Sequence, residues 1–166
     1  MRRRTTPLAL LAVGLAAAVV ASAAGAAGDV ARAGGVQLTL PDGWAKVASR
    51  DTRADDPRTL LVVGTDGVKA VDSDCQVSAY RVPSDGAVVV VIGWRDSIGG
   101  TSLLPLSAMK LRRGTFDCFA GRGAVGRLTR RDRDFQLNVM VGDRASAATI
   151  DAAFDAVKSF GLAPRA

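Results

Sequence analysis

The sequence predicts an α+β fold: a mainly antiparallel sheet of about six or seven strands with an amphipathic C-terminal helix packed on it. Two observations support this prediction. Short apolar or alternating runs follow one another along the chain, and turn residues separate them. The clearest helical pattern comes after the last of these runs. Strands joined by turns and followed by a helix that covers them are typical of an α+β domain.

The first predicted strand covers residues 36–40, where apolar and polar residues alternate. The triplet Pro41-Asp42-Gly43 predicts a turn that brings Trp44 back toward this strand. The polar stretch 46–58 is typical of a loop. Further strands are predicted over residues 59–64, 75–82, 87–94, 115–119, 124–129 and 135–141, with the last two forming a hairpin joined by residues 130–134.

The predicted helix runs over residues 147–160. Ser146 is placed to cap its first turn, and Gly161 is placed to end it. Apolar residues recur at helical spacing and predict the face that lies on the sheet. These residues are Ile150, Ala153, Phe154, Val157 and Phe160.

The first 28 residues have the pattern of a secretory signal peptide. Arg2, Arg3 and Arg4 precede an uncharged, Leu-, Ala- and Val-rich stretch that ends in small residues, which favours cleavage after Ala23 or Ala26. The alternative is an uncleaved anchor, because residues 8–28 match the length of about 20 that a spanning helix needs. We therefore predict a signal peptide over 1–28, a flexible segment over 29–35, a single domain over 36–162 and a tail over 163–166.

The composition excludes several kinds of active site. All 16 acidic residues are Asp, and the chain has no Glu and no His. An imidazole base, a His metal ligand and a Glu acid are therefore absent. Three basic residues leave with the leader, so the formal charge of +6 falls to +3 after cleavage.

Cys75 and Cys118 are the only cysteines. In an exported protein this pair predicts one disulfide. Closing a loop of this length stabilises a domain by about 4 kcal/mol in the chain-entropy model. A structural role is favoured over a redox role, because catalytic dithiols usually occupy a C-x-x-C motif.

The stretch from Val36 to Trp44, a strand followed by Pro-Asp-Gly-Trp just after a signal sequence, resembles the start of PsbP-like small exported domains. Residues 134–142 with the closing helix resemble the end of uncharacterised actinobacterial secreted proteins. The resemblance implies an antiparallel sheet flanked by helices. It implies no reaction, because such domains are binding or accessory modules in unrelated systems.

Two patterns that carry chemistry elsewhere are weak here. Ser107 and Lys110 match S-x-x-K, but the companion S-D-N and K-T-G elements of such hydrolases are missing. Asp66, Asp72 and Asp74 supply oxygen ligands for Ca²⁺, but an EF-hand loop also needs a bidentate Glu. We therefore predict no catalytic residues, no metal and no cofactor, and a small Ser/Lys or Asp-based hydrolase is the least favoured alternative.

Five arginines cluster around the predicted hairpin and form a candidate anion-binding site. The alternative is a solvated hairpin tip, favoured by the partial neutralisation that Asp132 and Asp134 provide. Nucleic acid is not expected as a partner, because export separates the protein from the nucleic acids of the cell. The arginines are Arg122, Arg127, Arg130, Arg131 and Arg133.

Trp44, Tyr80 and Trp94 are candidates for lining a ligand cleft, although packing in the core is the more common role of such residues. Together these features predict a monomeric, exported and non-enzymatic binding or accessory domain. Its expected partner is an unknown protein or an anionic component of the cell envelope. A membrane-tethered sensor or accessory domain, held by an uncleaved leader, is the alternative.

Overall fold

The computed structural model describes residues 28–50, 55–96, 105–116 and 118–164, so the predicted signal peptide lies almost entirely outside the described residues. The described chain contains eleven strands, one α-helix and a 3₁₀ turn at Leu106–Ala108. In chain order these are β1 (Val30–Ala33), β2 (Val36–Thr39), β3 (Trp44–Lys46), β4 (Arg58–Thr65), β5 (Lys69–Ala70), β6 (Tyr80–Arg81), β7 (Ala87–Gly93), β8 (Arg112–Phe116), β9 (Phe119–Arg130), β10 (Arg133–Val141), α1 (Ala147–Lys158) and β11 (Gly161–Leu162).

The main sheet has six strands in the order β3-β4-β7-β10-β9-β8. A three-stranded sheet, β1-β2-β11, and a two-stranded sheet, β5-β6, accompany it. Neighbouring strands pair antiparallel in all three sheets of the described chain. The predicted combination of a mostly antiparallel sheet with one C-terminal helix is therefore confirmed.

The main sheet is covered on both faces. The helix-side face of β4, β7 and β10 contributes apolar residues such as Leu61, Val89 and Leu137, which pack with Val157 of α1. The opposite face contributes Val62, Val88, Val90, Ile92 and Met140, which pack with Val77, Ala79 and Tyr80 from the segment around β6. Burial on both faces explains why β7 is an unbroken apolar run.

The segment 29–35, which was predicted to be flexible, contains a strand. Residues Val30–Ala33 form β1, which pairs with β2. Gly34 and Gly35 connect the two strands with φ values of +56° and +77°, which fit a tight type I′ hairpin turn. Ala31 is buried in the helix-side core, so tertiary contacts order a segment that has little strand signal of its own.

The predicted strand over 75–82 is reduced to the two residues of β6. Residues 75–79 instead form turns that lie over the opposite face of the main sheet, where Val77 and Ala79 are buried. Val71 donates its backbone N–H to the carbonyl of Ala79, at 2.9 Å, and this bond closes the segment on itself. The alternation that predicted a strand is therefore explained by packing of a folded loop.

The β8–β9 hairpin also differs from its prediction. β8 covers Arg112–Phe116, so the strand begins earlier than residue 115, and Cys118 lies in the turn instead of the strand. Cys118 has a φ of +57°, the left-handed conformation that turns require. This conformation places its sulfur at the tip of the hairpin.

The helix begins as predicted. The Ser146 side chain accepts a hydrogen bond from the Thr149 N–H at 3.0 Å, which satisfies one of the free amides of the first turn. Ala153, Ala156 and Val157 are buried against the sheets. The helix ends at Lys158, two residues before the predicted end, because the chain then enters β11.

The predicted disulfide between Cys75 and Cys118 is present, with a Cα–Cα distance of 6.6 Å. It joins the loop between β5 and β6 to the turn between β8 and β9. Cys75 and Phe119 both pack against the cluster on the opposite face of the sheet. The bond therefore holds the covering loop onto that face.

Candidate functional site

The three aromatic residues predicted to line a cleft do not lie together. Trp44 is buried in the core on the helix-side face, whereas Tyr80 and Trp94 belong to the cluster on the opposite face. Tyr80 accepts a hydrogen bond from the Arg50 backbone N–H at 3.2 Å. Each of these side chains packs in or against a core cluster, which is the more common role of large aromatic residues.

Two of the five predicted arginines lie apart from the hairpin tip. Arg122 is at the other end of β9, where it donates to the carbonyl oxygens of Gly142 and Asp143 at 3.2 Å each. Arg127 lies on the opposite face of the sheet and donates to Oε1 of Gln136 at 2.5 Å. Both guanidinium groups therefore contribute to the structure of the sheet.

The other three arginines meet at the β9–β10 turn, and we call them the arginine tip: Arg130, Arg131 and Arg133. Arg130 and Arg133 are direct cross-strand partners on the helix-side face. Directly opposed residues have their Cβ atoms about 5 Å apart, so two like charges face each other here. Arg131 extends from the turn itself and is exposed.

Contacts orient one member of the arginine tip. The Arg133 Nε donates to the carbonyl of Trp94 at 3.3 Å, and its guanidinium lies 5.3 Å from the centre of the Phe135 ring. Phe160, just beyond α1, packs on the same ring at 5.3 Å between ring centres. Among the described residues, no hydrogen bond involves the two terminal nitrogens of Arg133.

The acids that were expected to neutralise the arginine tip do not pair with it. Asp134 points to the opposite face, where it is buried and accepts a hydrogen bond from the Thr129 hydroxyl. Asp132 lies in the turn and is exposed. Within the described part of the chain, none of the three arginines forms an ion pair with a carboxylate.

The turn between Arg130 and Arg133 is strained. Arg131 and Asp132 have φ values of +49° and +59°, the left-handed pair that a type I′ turn requires. Asn and Gly are the residues that normally occupy these two positions, because other side chains are disfavoured at positive φ. Arginine at such a position adds charge at a conformational cost.

We expect the double substitution Arg131→Asn with Asp132→Gly to raise the free energy of unfolding by about 1 kcal/mol, because it relieves this strain. Urea denaturation measures the change. Asp42→Gly is the control, since Asp42 is also an exposed turn residue but has no positive φ. A double variant that is no more stable than the wild type would contradict the prediction.

A row of polar side chains on β10 is an unpredicted feature. Asp134, Gln136 and Asn138 alternate with apolar residues, a pattern that usually faces water, yet they are at most 3% exposed. Gln136 Nε2 donates to Oδ1 of Asn138 at 3.1 Å, and Asn138 Nδ2 is buried without a hydrogen-bond partner among the described residues. The sequence pattern could locate this row but not its burial, which depends on the segments that cover it.

An open cleft of about 940 Å³ lies on the helix-side face, between residues 106–111 and α1, and we call it the helix cleft. Residues 106–111 form the outer wall of this cleft. Gly126 of β9 lies beneath that wall, because a Cβ at Gly126 would come within 2.6 Å of the Met109 sulfur. The apolar lining residues are Leu106, Met109, Leu111, Phe154 and Val157. The polar ones are Ser107, Lys110, Asp151, Asp155 and Lys158.

The polar residues of the helix cleft are unequally paired. Lys158 donates to Asp155 at 2.7 Å, and this hydrogen bond, with the charge of the same carboxylate, raises the pKa of the lysine above its ordinary value. Ser107 and Lys110 both line the outer wall, but no hydrogen bond joins them in the described structure. A second, smaller cleft of about 610 Å³ lies on the other side of α1 and includes Ala148.

The acidic residues that were considered for Ca²⁺ have other surroundings. Asp72 pairs with Arg50, and Asp66 is exposed in a turn. Within the described ranges, no group of three potential ligand side chains is placed to hold a metal ion.

No protein family, curated protein or solved structure matches this chain. The resemblance to PsbP-like domains therefore stays a prediction. In the described residues, no helix has the length and apolar character needed to cross a membrane.

Proposed function

We propose that this protein is an exported, non-enzymatic binding module that recognises an anionic component of the cell envelope through its arginine tip. The observation that carries the proposal is the position of Asp134 on the opposite face of the sheet. Among the described residues, this position leaves Arg130, Arg131 and Arg133 without a carboxylate partner. The Cys75–Cys118 disulfide is consistent with an extracytoplasmic location.

The arrangement of the arginines supports anion binding over a merely solvated tip. Arg130 and Arg133 are opposed across the hairpin, and like charges in this position destabilise a sheet. A bound phosphate or carboxylate reverses this effect, because it accepts hydrogen bonds from both guanidinium groups. Arg133 is held by Trp94 and Phe135, so less side-chain entropy is lost when an anion binds.

The proposal is tested with polyphosphate and with phosphatidylglycerol vesicles at low and moderate salt. We expect the triple variant Arg130/Arg131/Arg133→Ala to bind both probes at least roughly tenfold more weakly than the wild type, since each basic residue near an anionic surface contributes about 1 kcal/mol. Fluorescence titration and vesicle sedimentation measure the change.

The matched control is Arg32/Arg81/Arg112→Ala, which removes three exposed arginines that lie elsewhere in the fold. The two triple variants have the same net charge, so a difference between them reports the location of the arginines. Equal binding by the two triple variants would reject the arginine tip as the site. A further variant, Arg130/Arg133→Lys, separates charge from the paired geometry that only guanidinium groups provide.

A further inference from the structure

We propose that the helix cleft and the arginine tip form one binding site for a single-chain anionic amphiphile, with the alkyl chain in the cleft and the anionic head at the tip. This inference rests on the proposed function, since it assigns the anion to the same arginines. It adds the apolar part of the ligand and the direction in which the ligand lies.

The strand register places the two features on one line. On the helix-side face, the paired positions of β9 and β10 run from Gly126 and Leu137 through Leu128 and Phe135 to Arg130 and Arg133. Gly126 lies beneath the outer wall of the cleft, because a Cβ there would touch Leu106 and Met109, and Leu128 and Phe135 are buried between Gly126 and the arginine pair. The arginine pair is the next position of the same two strands, roughly 14 Å beyond Gly126.

The charges along the cleft fix the direction of the ligand. The Asp155 carboxylate is paired with Lys158, so this part of the rim is neutralised. Asp151 lies one turn from the start of α1, which follows the end of β10 away from the β9–β10 turn, whereas Phe160, beyond the other end of α1, packs on Phe135 near that turn. The arginine tip lies beyond the other end of the cleft, and an anionic head is stabilised there and not beside Asp151.

The lining suits an alkyl chain. Its floor and walls present leucine, methionine, valine and phenylalanine side chains, and its volume of about 940 Å³ is within the range of small-molecule sites. Methionine adapts its shape to a flexible apolar partner. Lys110 on the outer wall has no partner in the described structure and adds positive charge beside the chain.

The test compares dodecyl phosphate with butyl phosphate, each below its micelle-forming concentration, by isothermal titration calorimetry. We expect the wild type to bind dodecyl phosphate at least about tenfold more tightly, because burial of each additional methylene is favourable. Dodecyltrimethylammonium, with the same chain and the opposite charge, should bind at least about tenfold more weakly than dodecyl phosphate.

Two matched variants test where the alkyl chain of the ligand binds. Ser107→Trp places a large side chain in the helix cleft from an exposed position, and Ala148→Trp does the same in the second cleft. We expect Ser107→Trp to abolish the preference for the longer chain while polyphosphate still binds. Ala148→Trp should retain the preference.

The outcomes separate this inference from the proposed function. Equal affinity for the two chain lengths in the wild type overturns the inference, while polyphosphate binding that depends on the arginine tip still supports the proposed function. A chain-length preference that persists in Ser107→Trp also overturns the inference, because it places the chain elsewhere. If the wild type binds none of the anionic probes, both the inference and the proposed function are overturned.

Discussion

Removal of the Cys75–Cys118 disulfide is expected to lower the free energy of unfolding by about 4 kcal/mol. The bond closes a loop with a sequence separation of 43 residues, so its loss increases the conformational entropy of the unfolded chain. For a domain of this size we expect the melting temperature of Cys75→Ser/Cys118→Ser to fall by roughly 10 to 20 °C. Differential scanning calorimetry measures this change.

The same variant should show a local effect. The bond from the Val71 N–H to the Ala79 carbonyl closes the covering loop between β5 and β6, and the disulfide joins this loop to the β8–β9 turn. Hydrogen exchange of the Val71 amide, which is bonded to Ala79, should accelerate more than exchange in the centre of β7.

Reduction provides the control for the disulfide prediction. Dithiothreitol should lower the melting temperature of the wild type and leave that of the double serine variant unchanged. Thiol titration of the denatured, unreduced protein should find no free sulfhydryl. Two free thiols per chain, or equal melting temperatures with and without reductant, would contradict the prediction.

Gly142→Ala is expected to destabilise the protein by about 2 to 3 kcal/mol. Gly142 is buried just after β10, and an added Cβ would overlap the backbone carbonyl oxygens of Pro83 and Ser84. These atoms belong to the turn before β7, which is held by the bond from the Gly142 N–H to the Gly86 carbonyl at 2.9 Å. Backbone atoms cannot rotate away as a flexible side chain does, so the junction between β10 and α1 must shift.

Gly114→Ala is the matched control. Gly114 lies in the edge strand β8, and no atom is within 4 Å of the position that its Cβ would occupy. Alanine should be neutral or slightly stabilising there, since glycine is unfavourable inside a strand. Urea denaturation of both variants measures the difference. Similar midpoints would contradict the prediction that the close backbone approach at Gly142 makes alanine destabilising there.

Local sequence signals predicted those elements whose cause is also local. The Pro41-Asp42-Gly43 turn forms, with the Trp44 N–H bonded to the Pro41 carbonyl at 3.1 Å, because a fixed proline φ and a glycine at positive φ are sufficient for it. Ser146 caps α1 for a similar reason, since a serine side chain reaches the amides of the next turn without help from the rest of the fold.

The candidate site was predicted only in part. The arginines were visible as a cluster, but strand alternation placed Arg127 on the opposite face and Arg122 at the far end of β9. The position of Asp134 depended on where the hairpin turns, and the turn occupies two residues instead of the predicted five. The helix cleft had no sequence signal, because it is formed between segments that are about 40 residues apart.

By itself, the sequence determined the class of the fold, the pairing of the only two cysteines, the cap of the helix and the exclusion of His- and Glu-based chemistry. These depend on composition, on local turn preferences and on side-chain periodicity. Tertiary structure alone decided that residues 30–33 form a strand, that the polar row on β10 is buried and that three arginines have no carboxylate partner among the described residues. The physical reason is that burial and ion pairing depend on which surfaces meet, and distant segments of the chain supply those surfaces.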